Sequence, residues 1–478
     1  MNATGHKNRS GYAAGELAHN ARMPQSDRTW PEIQALFKLG LPMVATQLFI
    51  MGMGFLDTAM AGHYASVDLA GVALGGNVLW PVLMLMSGLN MALTPMSAQL
   101  RGEGRVGDVG KLVRQGLWLA LITSMITVTV MLNAGPIFDL FNVDAEAADI
   151  GQRYLSAAAW GIPGVMLYIT LRYVCEGLGH TLQPMVIVGS ALLVNGALNY
   201  IFIYGKLGFP AMGGEGCGWA TALTMWFEFC LILLLTTRAW FRETQLFSQF
   251  EWLSWGPMLS ILKVGLPIGI TIFLEMAVFS VIGFMVGSLG VTALAAHSIV
   301  GNINWATYVI PMSLGSAVSI RVGYFVGKRD LAHARHISKL SFQISLGYAL
   351  VASAALILGR HLLPTIYSSD MAVIEMAATL LIIVAVYQIV DCTQATMIGA
   401  LRGYKDTRLP AIFSFIGFWV LALPLGMALG FGYFGEQYGV FGFWSGMALG
   451  LFVVALLVGW RLYQTSADEQ RILKFASI

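Results

Sequence analysis

The chain contains 478 residues, of which 57% are hydrophobic and only 11% are charged, and its formal net charge is +2. An ordinary soluble domain carries about 25% charged residues, so this composition, with a mean hydropathy of +0.71, excludes that class. The small net charge identifies neither an acidic partner nor a nucleic acid. We therefore predict an integral membrane protein.

Residues 1–30 form a polar N-terminal tail that lacks the apolar core of a cleavable signal sequence. We expect this tail to be cytoplasmic and the first apolar segment to direct insertion. Beyond the tail, apolar segments recur that reach the roughly 20 residues needed to cross a bilayer as a helix. Twelve helical spans are predicted, at about residues 36–62, 69–98, 113–134, 154–176, 184–205, 215–237, 259–287, 294–320, 338–361, 374–401, 410–432 and 438–463.

Matched glycines and prolines show that these spans are one six-helix unit present twice. The pairs include Gly40/Gly265, Pro42/Pro267 and Gly102/Gly327 at an offset of 225, then Gly177/Gly403 and Pro184/Pro410 at 226. Glycine and proline shape the backbone, so what was duplicated is a fold. Because each unit has an even number of helices, both copies have the same orientation, and a site is expected between them.

The duplication predicts an all-α membrane fold built from two pseudo-symmetric six-helix bundles. Residues 31–238 are assigned to an N-lobe and residues 259–463 to a C-lobe. Residues 239–258 join the lobes, and their mixture of aromatic and charged side chains is typical of a segment lying in the membrane interface on the cytoplasmic side. Residues 464–478 are assigned to a cytoplasmic C-terminal tail.

Basic residues predict the orientation of the chain in the membrane. If the N-terminus is cytoplasmic, only Arg153, Lys206 and Arg360 of the 27 Lys and Arg residues fall outside. This asymmetry follows the positive-inside rule. Both termini are therefore predicted to be cytoplasmic.

Four acids lie well inside predicted spans, namely Asp57, Glu228, Glu275 and Asp391. No Lys or Arg is predicted at a comparable depth, and a charged group in lipid costs at least about 2.5 kcal/mol. Such acids are expected to take up a proton or bind a cation. The alternative is a protonated acid that only joins helices. The duplication did not copy these acids, since Ile282 stands opposite Asp57 and Ile50 stands opposite Glu275.

Polar neighbours group three of the acids into two clusters. Asn195 and Asn199 are four residues apart, so they share one helix face at the predicted depth of Asp57. In the second half, Tyr387 and Asp391 have the same spacing, and Glu275 is predicted near mid-membrane. The first cluster is expected in the N-lobe and the second in the C-lobe. The asparagines also suit plain interhelical hydrogen bonds, and the role of Glu228 stays open.

Motifs for catalysis are missing from the sequence. There is no phosphate-binding Walker loop, no HExxH zinc motif and no nucleophile elbow. The four cysteines lack CxxC spacing and suit packing better than metal binding. We therefore predict neither enzymatic activity nor a catalytic residue nor a cofactor.

The chain resembles the multidrug and toxic compound extrusion (MATE) family, in particular its NorM-like bacterial branch. The resemblance covers nearly everything after residue 30. It rests on the duplication and on the segments 40–42 (GLP), 55–62 (FLDTAMAG), 195–205 (NGALNYIFIYG), 216–222 (GCGWATA), 294–297 (LAAH) and the region around Tyr387 and Asp391.

This resemblance implies a V-shaped transporter whose two lobes alternate between inward- and outward-facing forms. It implies export of cationic or amphipathic drugs, such as dyes, fluoroquinolones and ammonium compounds, in exchange for H⁺ or Na⁺. By position, the cluster of Asp57, Asn195 and Asn199 resembles the family's N-lobe acidic site.

The cluster of Glu275, Tyr387 and Asp391 resembles the family's C-lobe cation site, where Na⁺ is one candidate ligand. Pro42 resembles its bending proline and is the predicted hinge. We expect a monomer in the bacterial inner membrane that binds no nucleic acid.

Two alternatives to antiport remain. A lipid-linked precursor flippase shares the broader fold, but its anionic substrate would require Arg or Lys inside the cavity. A membrane-embedded enzyme would require a nucleophile with a base or a metal constellation. Among coupling ions, H⁺ is favoured over Na⁺ because a carboxylate beside Asn or Tyr titrates without a full ligand cage.

Overall fold

A computed structural model describes residues 29–140, 144–433 and 435–477, so most of the predicted N-terminal tail lies outside the described residues. The first half contains α1 Thr29–Tyr64, α2 Ser66–Asn90, α3 Leu93–Gly102, α4 Val109–Leu132, α5 Gly135–Leu140, α6 Ala145–Ala159, α7 Ile162–Gly177, α8 Leu182–Tyr204 and α9 Gly214–Leu235. The short helix α10 Ala239–Arg242 follows.

The second half repeats this plan. It contains α11 Trp255–Gly287, α12 Val291–Gly327, α13 Leu331–Leu358, α14 Met371–Gly403, α15 Arg408–Phe415, a π-helical turn Ile416–Ala422, α16 Leu423–Phe431, α17 Gly439–Ala467 and α18 Glu469–Ala476. Within the described ranges, 11 helices are long and apolar enough to cross a membrane, and the bent pair α6–α7 makes a twelfth. The predicted all-α membrane fold is confirmed.

The fourth predicted span differs from the structure. The sequence predicts one helix over 154–176, but α6 and α7 meet at a 54° bend. At the bend, a Cβ on Gly161 would lie 2.5 Å from the Cα of Ala222, so glycine lets α9 approach closely. Pro163 sits in the first turn of α7, where its missing N–H costs nothing.

The duplicated prolines lie inside continuous helices. Thr46 Oγ1 donates to the carbonyl of Pro42 at 2.8 Å, and Thr271 Oγ1 donates to the carbonyl of Pro267 at 2.8 Å. Both α1 and α11 continue through their proline. The same threonine–proline hydrogen bond is therefore present in both halves. The hinge role of Pro42 stays a prediction.

The two halves contact each other at the end of the bundle where α1 begins and α18 lies, here called the base. A Cβ on Gly102 would lie 2.0 Å from the carbonyl oxygen of Tyr324, and one on Gly327 would lie 2.1 Å from that of Gln99. Tyr324 is the repeat counterpart of Gln99, so these contacts are reciprocal. The base is closed by backbone packing that only glycine permits.

An ionic cluster reinforces this closure. Arg321 Nε donates to Glu32 Oε2 at 3.0 Å, and His333 Nε2 lies 2.9 Å from Glu32 Oε1. Glu32 belongs to α1, whereas Arg321 and His333 belong to α12 and α13. The start of the first half is therefore bonded to the second half.

The segment between the halves packs along α4. Arg114 donates to the carbonyls of Gln245 and Leu246, both at 2.9 Å, and its Nη2 lies 2.8 Å from Glu251 Oε1. Trp252 and Trp255 are 75% and 73% exposed, so the segment presents aromatic side chains outward. Its predicted place in the membrane interface is compatible with this exposure.

Candidate ion and substrate sites in the two lobes

The N-lobe site forms where α1 meets α8. Asn199 Nδ2 donates to Asp57 Oδ1 at 2.6 Å and approaches Asn195 Oδ1 at 3.2 Å. All three side chains are buried, with Asp57 9% exposed. The i,i+4 spacing on α8 places both asparagines on the face toward Asp57. The structure thus brings together the three residues that the sequence grouped.

A third helix completes this site with a residue that the sequence analysis missed. Thr221 on α9 donates from Oγ1 to Asp57 Oδ2 at 3.3 Å. Tyr154 and Cys217 lie close enough to interact electrostatically with Asp57. Thr221 lies inside the segment 216–222, which is part of the family resemblance. That segment is the feature of the sequence that could have identified Thr221 as a site residue.

The chemistry of the N-lobe site follows from its neutral donors. Amide and hydroxyl groups hold the Asp57 carboxylate in place, and no Lys or Arg of the described residues forms an ion pair with it. A buried carboxylate that neutral groups alone solvate still favours uptake of a positive charge. The site is therefore a candidate for uptake of a proton or another cation.

The C-lobe site has two carboxylates on different helices. Glu275 is half-buried on α11, while Asp391 and Tyr387 are buried on α14, with exposures of 8% and 2%. Asp391 and Glu275 interact electrostatically, and Tyr387 interacts with both. Tyr308 on α12 also interacts with both acids and was missed by the sequence analysis.

Packing, rather than hydrogen bonding, positions the C-lobe groups. Within the described part of the chain, no hydrogen bond joins Glu275, Tyr387 and Asp391 to one another. The ring of Tyr387 packs edge-on against Trp444 at 5.9 Å and Phe279 at 6.4 Å between centroids. Two neighbouring carboxylates without donors favour a shared proton or a bound cation.

Two arginines correct the expectation that the buried acids lack basic neighbours. Arg402 interacts electrostatically with Glu275, and Arg172 does so with Glu228. Arg172 forms its direct ion pair with Glu176, at 2.7 Å. From the sequence, no Lys or Arg is predicted at the depth of these acids, and the reach of the two arginines was therefore underestimated. Glu228 therefore has a basic neighbour, although its role stays unassigned.

Metal binding finds no further support in the described ranges. They contain no group of three or more His, Cys, Asp or Glu side chains arranged to hold a metal ion. The cysteines are free, with Cys230 exposed and the other three buried. A sodium ion at Glu275, Tyr387 and Asp391 stays a prediction.

The repeat counterpart of Asp57 shows how different the lobes are. Ile282 is fully buried, in an apolar core that also contains Trp444 and Phe443. The C-lobe therefore has a hydrophobic core where the N-lobe has its acid.

Known proteins resemble this chain along most of its length. The MatE family model matches residues 42–201 and again residues 267–428. The multidrug resistance protein PmpM of Pseudomonas aeruginosa is 40% identical over 438 residues, which cover 91% of this chain and 92% of that protein. The multidrug resistance protein NorM of Aliivibrio fischeri is 38% identical over 445 residues, which cover 92% and 96%.

Solved structures share the same fold. A crystal structure of the eukaryotic MATE transporter AtDTX14 superposes with a TM-score of 0.84 at 19% identity, covering 94% of this chain and 99% of that one. The Vibrio cholerae MATE transporter VcmN in its bent form gives 0.81 at 18% identity, with the same coverage. At sequence identities this low, the structural similarity shows a shared fold only.

Proposed function

Since this chain belongs to the multidrug and toxic compound extrusion (MATE) family, we propose that it exports cationic and amphipathic drugs in exchange for an inward flux of H⁺, or alternatively Na⁺. Family membership makes the chain a multi-pass membrane transporter of the multidrug efflux class and not an enzyme. The substrates and the coupling ion are the proposed part.

One observation carries the proposal, namely that a duplicated scaffold holds different acids in its two halves. Asp57 has neutral hydrogen-bond donors in the N-lobe, whereas Glu275 and Asp391 form a carboxylate pair in the C-lobe. Because intramembrane carboxylates are costly, they are typical of ion and substrate pathways. Negative groups at these depths suit substrates that carry a positive charge.

The mechanism follows from competition for these carboxylates. Because the base is closed, we infer that a cation reaches the acids from the other end of the bundle. A cation or proton arriving there neutralises a carboxylate, which weakens its attraction for a cationic drug and displaces the drug. Coupling requires that ion and drug bind the base-closed and base-open forms with different affinity.

The N-lobe geometry favours a proton as the coupling ion. Asn199, Asn195 and Thr221 offer few oxygen ligands beside the single carboxylate of Asp57, which is less than the full cage that a metal cation requires. A proton needs only one carboxylate oxygen. The C-lobe pair is the better candidate site if Na⁺ drives transport.

The proposed orientation puts the base in the cytoplasm of a bacterial cell, in its inner membrane. All but three of the 27 Lys and Arg residues then face the cytoplasm or lie toward it. Fusion of a reporter active only outside the cytoplasm to the C-terminus tests this, and we expect no activity. A reporter inserted next to Lys206 is expected to be active, and the opposite pattern would overturn the orientation.

Dye efflux from purified proteoliposomes tests the coupling ion. We expect an imposed pH gradient in Na⁺-free buffer to drive efflux and an imposed Na⁺ gradient at uniform pH to drive much less. Efflux driven only by Na⁺ would exclude H⁺ as the coupling ion. Efflux driven by neither gradient would overturn the antiport proposal.

A further inference from the structure

A cavity of about 890 Å³ lies at the base of the molecule, outside both acid clusters. It is lined by the end of α3 from the N-lobe, by the end of α12 and the turn after α14 from the C-lobe, and by α18. The reciprocal glycines Gly102 and Gly327 are part of its wall. The cavity therefore spans the contact between the lobes.

The charges around this cavity are mainly positive. Its basic residues are Arg105, Lys328, Arg329 and Lys405, and its acidic residue is Glu103. Glu103 is already occupied, because its Oε2 lies 2.9 Å from Arg105 Nη1. Lys328 and Arg329 have no ion pair with any described residue.

Two of these cations adopt a backbone conformation that ordinarily belongs to glycine. Arg329 has a φ of +60° and Lys405 a φ of +61°. Their repeat counterparts in the N-lobe are Gly104 and Gly179, with φ values of +75° and +84°. Each position is the turn that ends a helix, where glycine avoids the steric cost of a side chain. In the C-lobe, two such positions carry a side chain despite its steric cost, and both side chains are cations at this cavity.

The charge of the neighbouring position is also reversed between the lobes. Lys328 is the repeat counterpart of Glu103, so the N-lobe turn carries Glu-Gly where the C-lobe turn carries Lys-Arg. Backbone strain that persists against a simpler alternative is associated with functional sites. The three differences share one consequence, which is positive charge gathered at the contact between the lobes.

Lys405 adds a buried cation to the wall. It is 8% exposed, and its Nζ donates to the carbonyl of Ala476 at 3.2 Å. Burial lowers the pKa of Lys405 to about 8, because desolvation disfavours the charged form. Gln99 of the N-lobe donates to the same carbonyl at 3.2 Å, so both lobes hold the end of α18 over the cavity.

We propose that this cavity binds a phosphate group, supplied by a soluble phosphate compound or by an anionic lipid headgroup, and that the bound phosphate holds the base closed. Arg329 and Lys328 are its main ligands, because guanidinium and ammonium groups are the preferred partners of phosphate oxygens. Since the wall comes from both lobes, the site exists in full only when the lobes meet. A ligand that binds one form better shifts the equilibrium toward that form.

Thermal unfolding of the purified transporter in detergent tests the binding. We expect potassium phosphate to raise the unfolding midpoint saturably, and more than potassium chloride does at equal ionic strength. In Lys328→Gln/Arg329→Gly we expect the apparent phosphate affinity to fall by about tenfold or more, as the loss of a charged hydrogen bond implies. Because glycine relieves the strain at position 329, this variant is expected to fold.

Two control variants distinguish loss of the phosphate site from a general effect of removing positive charge or of relieving backbone strain. Leu207→Gly relieves a positive φ of 55° at the opposite end of the molecule. Arg238→Gln/Arg242→Gln removes two exposed cations from the segment that follows α9. Both controls should respond to phosphate like the unaltered chain. An equal response in Lys328→Gln/Arg329→Gly would overturn the site.

Lipid nanodiscs identify the source of the phosphate. If phosphatidylglycerol raises the midpoint above phosphatidylcholine, and the double variant loses that increase, a lipid headgroup occupies the site. If soluble phosphate alone acts, the ligand is soluble. No response to either ligand beyond that to chloride would overturn the proposal.

Labelling across the lobe contact tests whether the bound phosphate holds the base closed. Ala98 is fully buried and packs beside Ile320 of the other lobe. In a Cys230→Ser background, Ala98→Cys should react with a maleimide only when the lobes separate, and phosphate should slow that reaction. An unchanged rate at saturating phosphate would overturn the closing effect. Neither measurement uses a drug or an ion gradient, so both test phosphate binding independently of the proposed antiport. Only the effect of bound phosphate on transport rests on the proposed function.

Discussion

The acid of the N-lobe and the acids of the C-lobe are held by different means. Asp57 accepts hydrogen bonds from Asn199 and Thr221, at 2.6 and 3.3 Å. Glu275 and Asp391 interact electrostatically and accept no hydrogen bond from a described residue, and Arg402 is within electrostatic reach of Glu275. A protonated carboxyl group keeps part of its acceptor capacity, so we expect neutral donors to hold Asp57 in both charge states. Two carboxylates that repel each other respond strongly to a shared proton or cation.

From this difference we propose that the two lobes have different tasks on one scaffold. The glycines and prolines that shape the backbone were duplicated, so both halves fold and pack alike at the base. The chemistry was not duplicated, because Ile282 occupies the counterpart of Asp57. The comparison therefore predicts that equivalent substitutions in the two lobes have unequal effects.

Removal of the acid charges is expected to have the largest effect. Asp57→Asn and Asp391→Asn should each reduce the protection of a drug-sensitised cell to that of cells lacking the transporter, because neither amide can bind the coupling proton. Drug susceptibility at matched amounts of membrane-inserted protein measures this. Unaltered protection in both variants would contradict the proposed roles of both lobes.

Introducing an acid at the counterpart of Asp57 should destabilise the C-lobe. Ile282→Asp places a carboxyl in an apolar core without amide donors, at a cost of at least about 2.5 kcal/mol. Ile282→Val is the matched control and should cost only about 0.5–1.5 kcal/mol. Unfolding midpoints in detergent compare the two. Equal midpoints would mean that the C-lobe core tolerates the acid, and the contrast between the lobes would be lost.

Loss of the asparagine donor should matter more than loss of the tyrosine hydroxyl. Asn199→Ala removes the hydrogen bond to Asp57 Oδ1 and should lower the free energy of unfolding by about 1–3 kcal/mol. Tyr387→Phe keeps the ring packing against Trp444 and removes a hydroxyl that forms no hydrogen bond with a described residue, so it should change the free energy of unfolding by less than about 1 kcal/mol. Denaturant or thermal unfolding of both variants checks this order, and a reversed order would contradict the account of how each acid is held.

A smaller effect than that at Asn199 is expected at Thr221. Thr221→Val preserves shape but removes the hydroxyl, which is placed to donate to Asp57 Oδ2 at 3.3 Å or to the carbonyl of Cys217 at 2.9 Å. Its loss should cost about 0.5–1.5 kcal/mol. Thr129→Val, an exposed threonine bonded only to its own helix, is the control. If both changes had the same effect on stability and efflux, Thr221 would not belong to the N-lobe site.

Local patterns explain why part of the site was predictable. The spacing of Asn195 and Asn199 is a property of one helix, so sequence alone places them on one face. Thr221 contributes from a helix 164 positions away from Asp57, and no local pattern encodes such a contact. The same reason hid the neighbours of Glu228 and Glu275, since Arg172 and Arg402 reach them through tertiary packing.

The fold, like the site, was predictable only where it depends on local sequence. Long apolar segments and matched glycines predicted the helices and their duplication, because length and backbone freedom are local properties. The bend between α6 and α7 depends on Gly161 meeting Ala222 of α9. Glycine is compatible with both a straight and a broken helix, so only the packed structure decides between them.

Proton release on drug binding tests the central claim most directly. Purified protein in weakly buffered, Na⁺-free solution should release protons when a cationic dye binds, because dye and proton compete for the same carboxylates. Asp57→Asn and Asp391→Asn should release fewer protons per dye bound. Dye binding without proton release in the unaltered chain, or with the same release in both variants, would contradict the account.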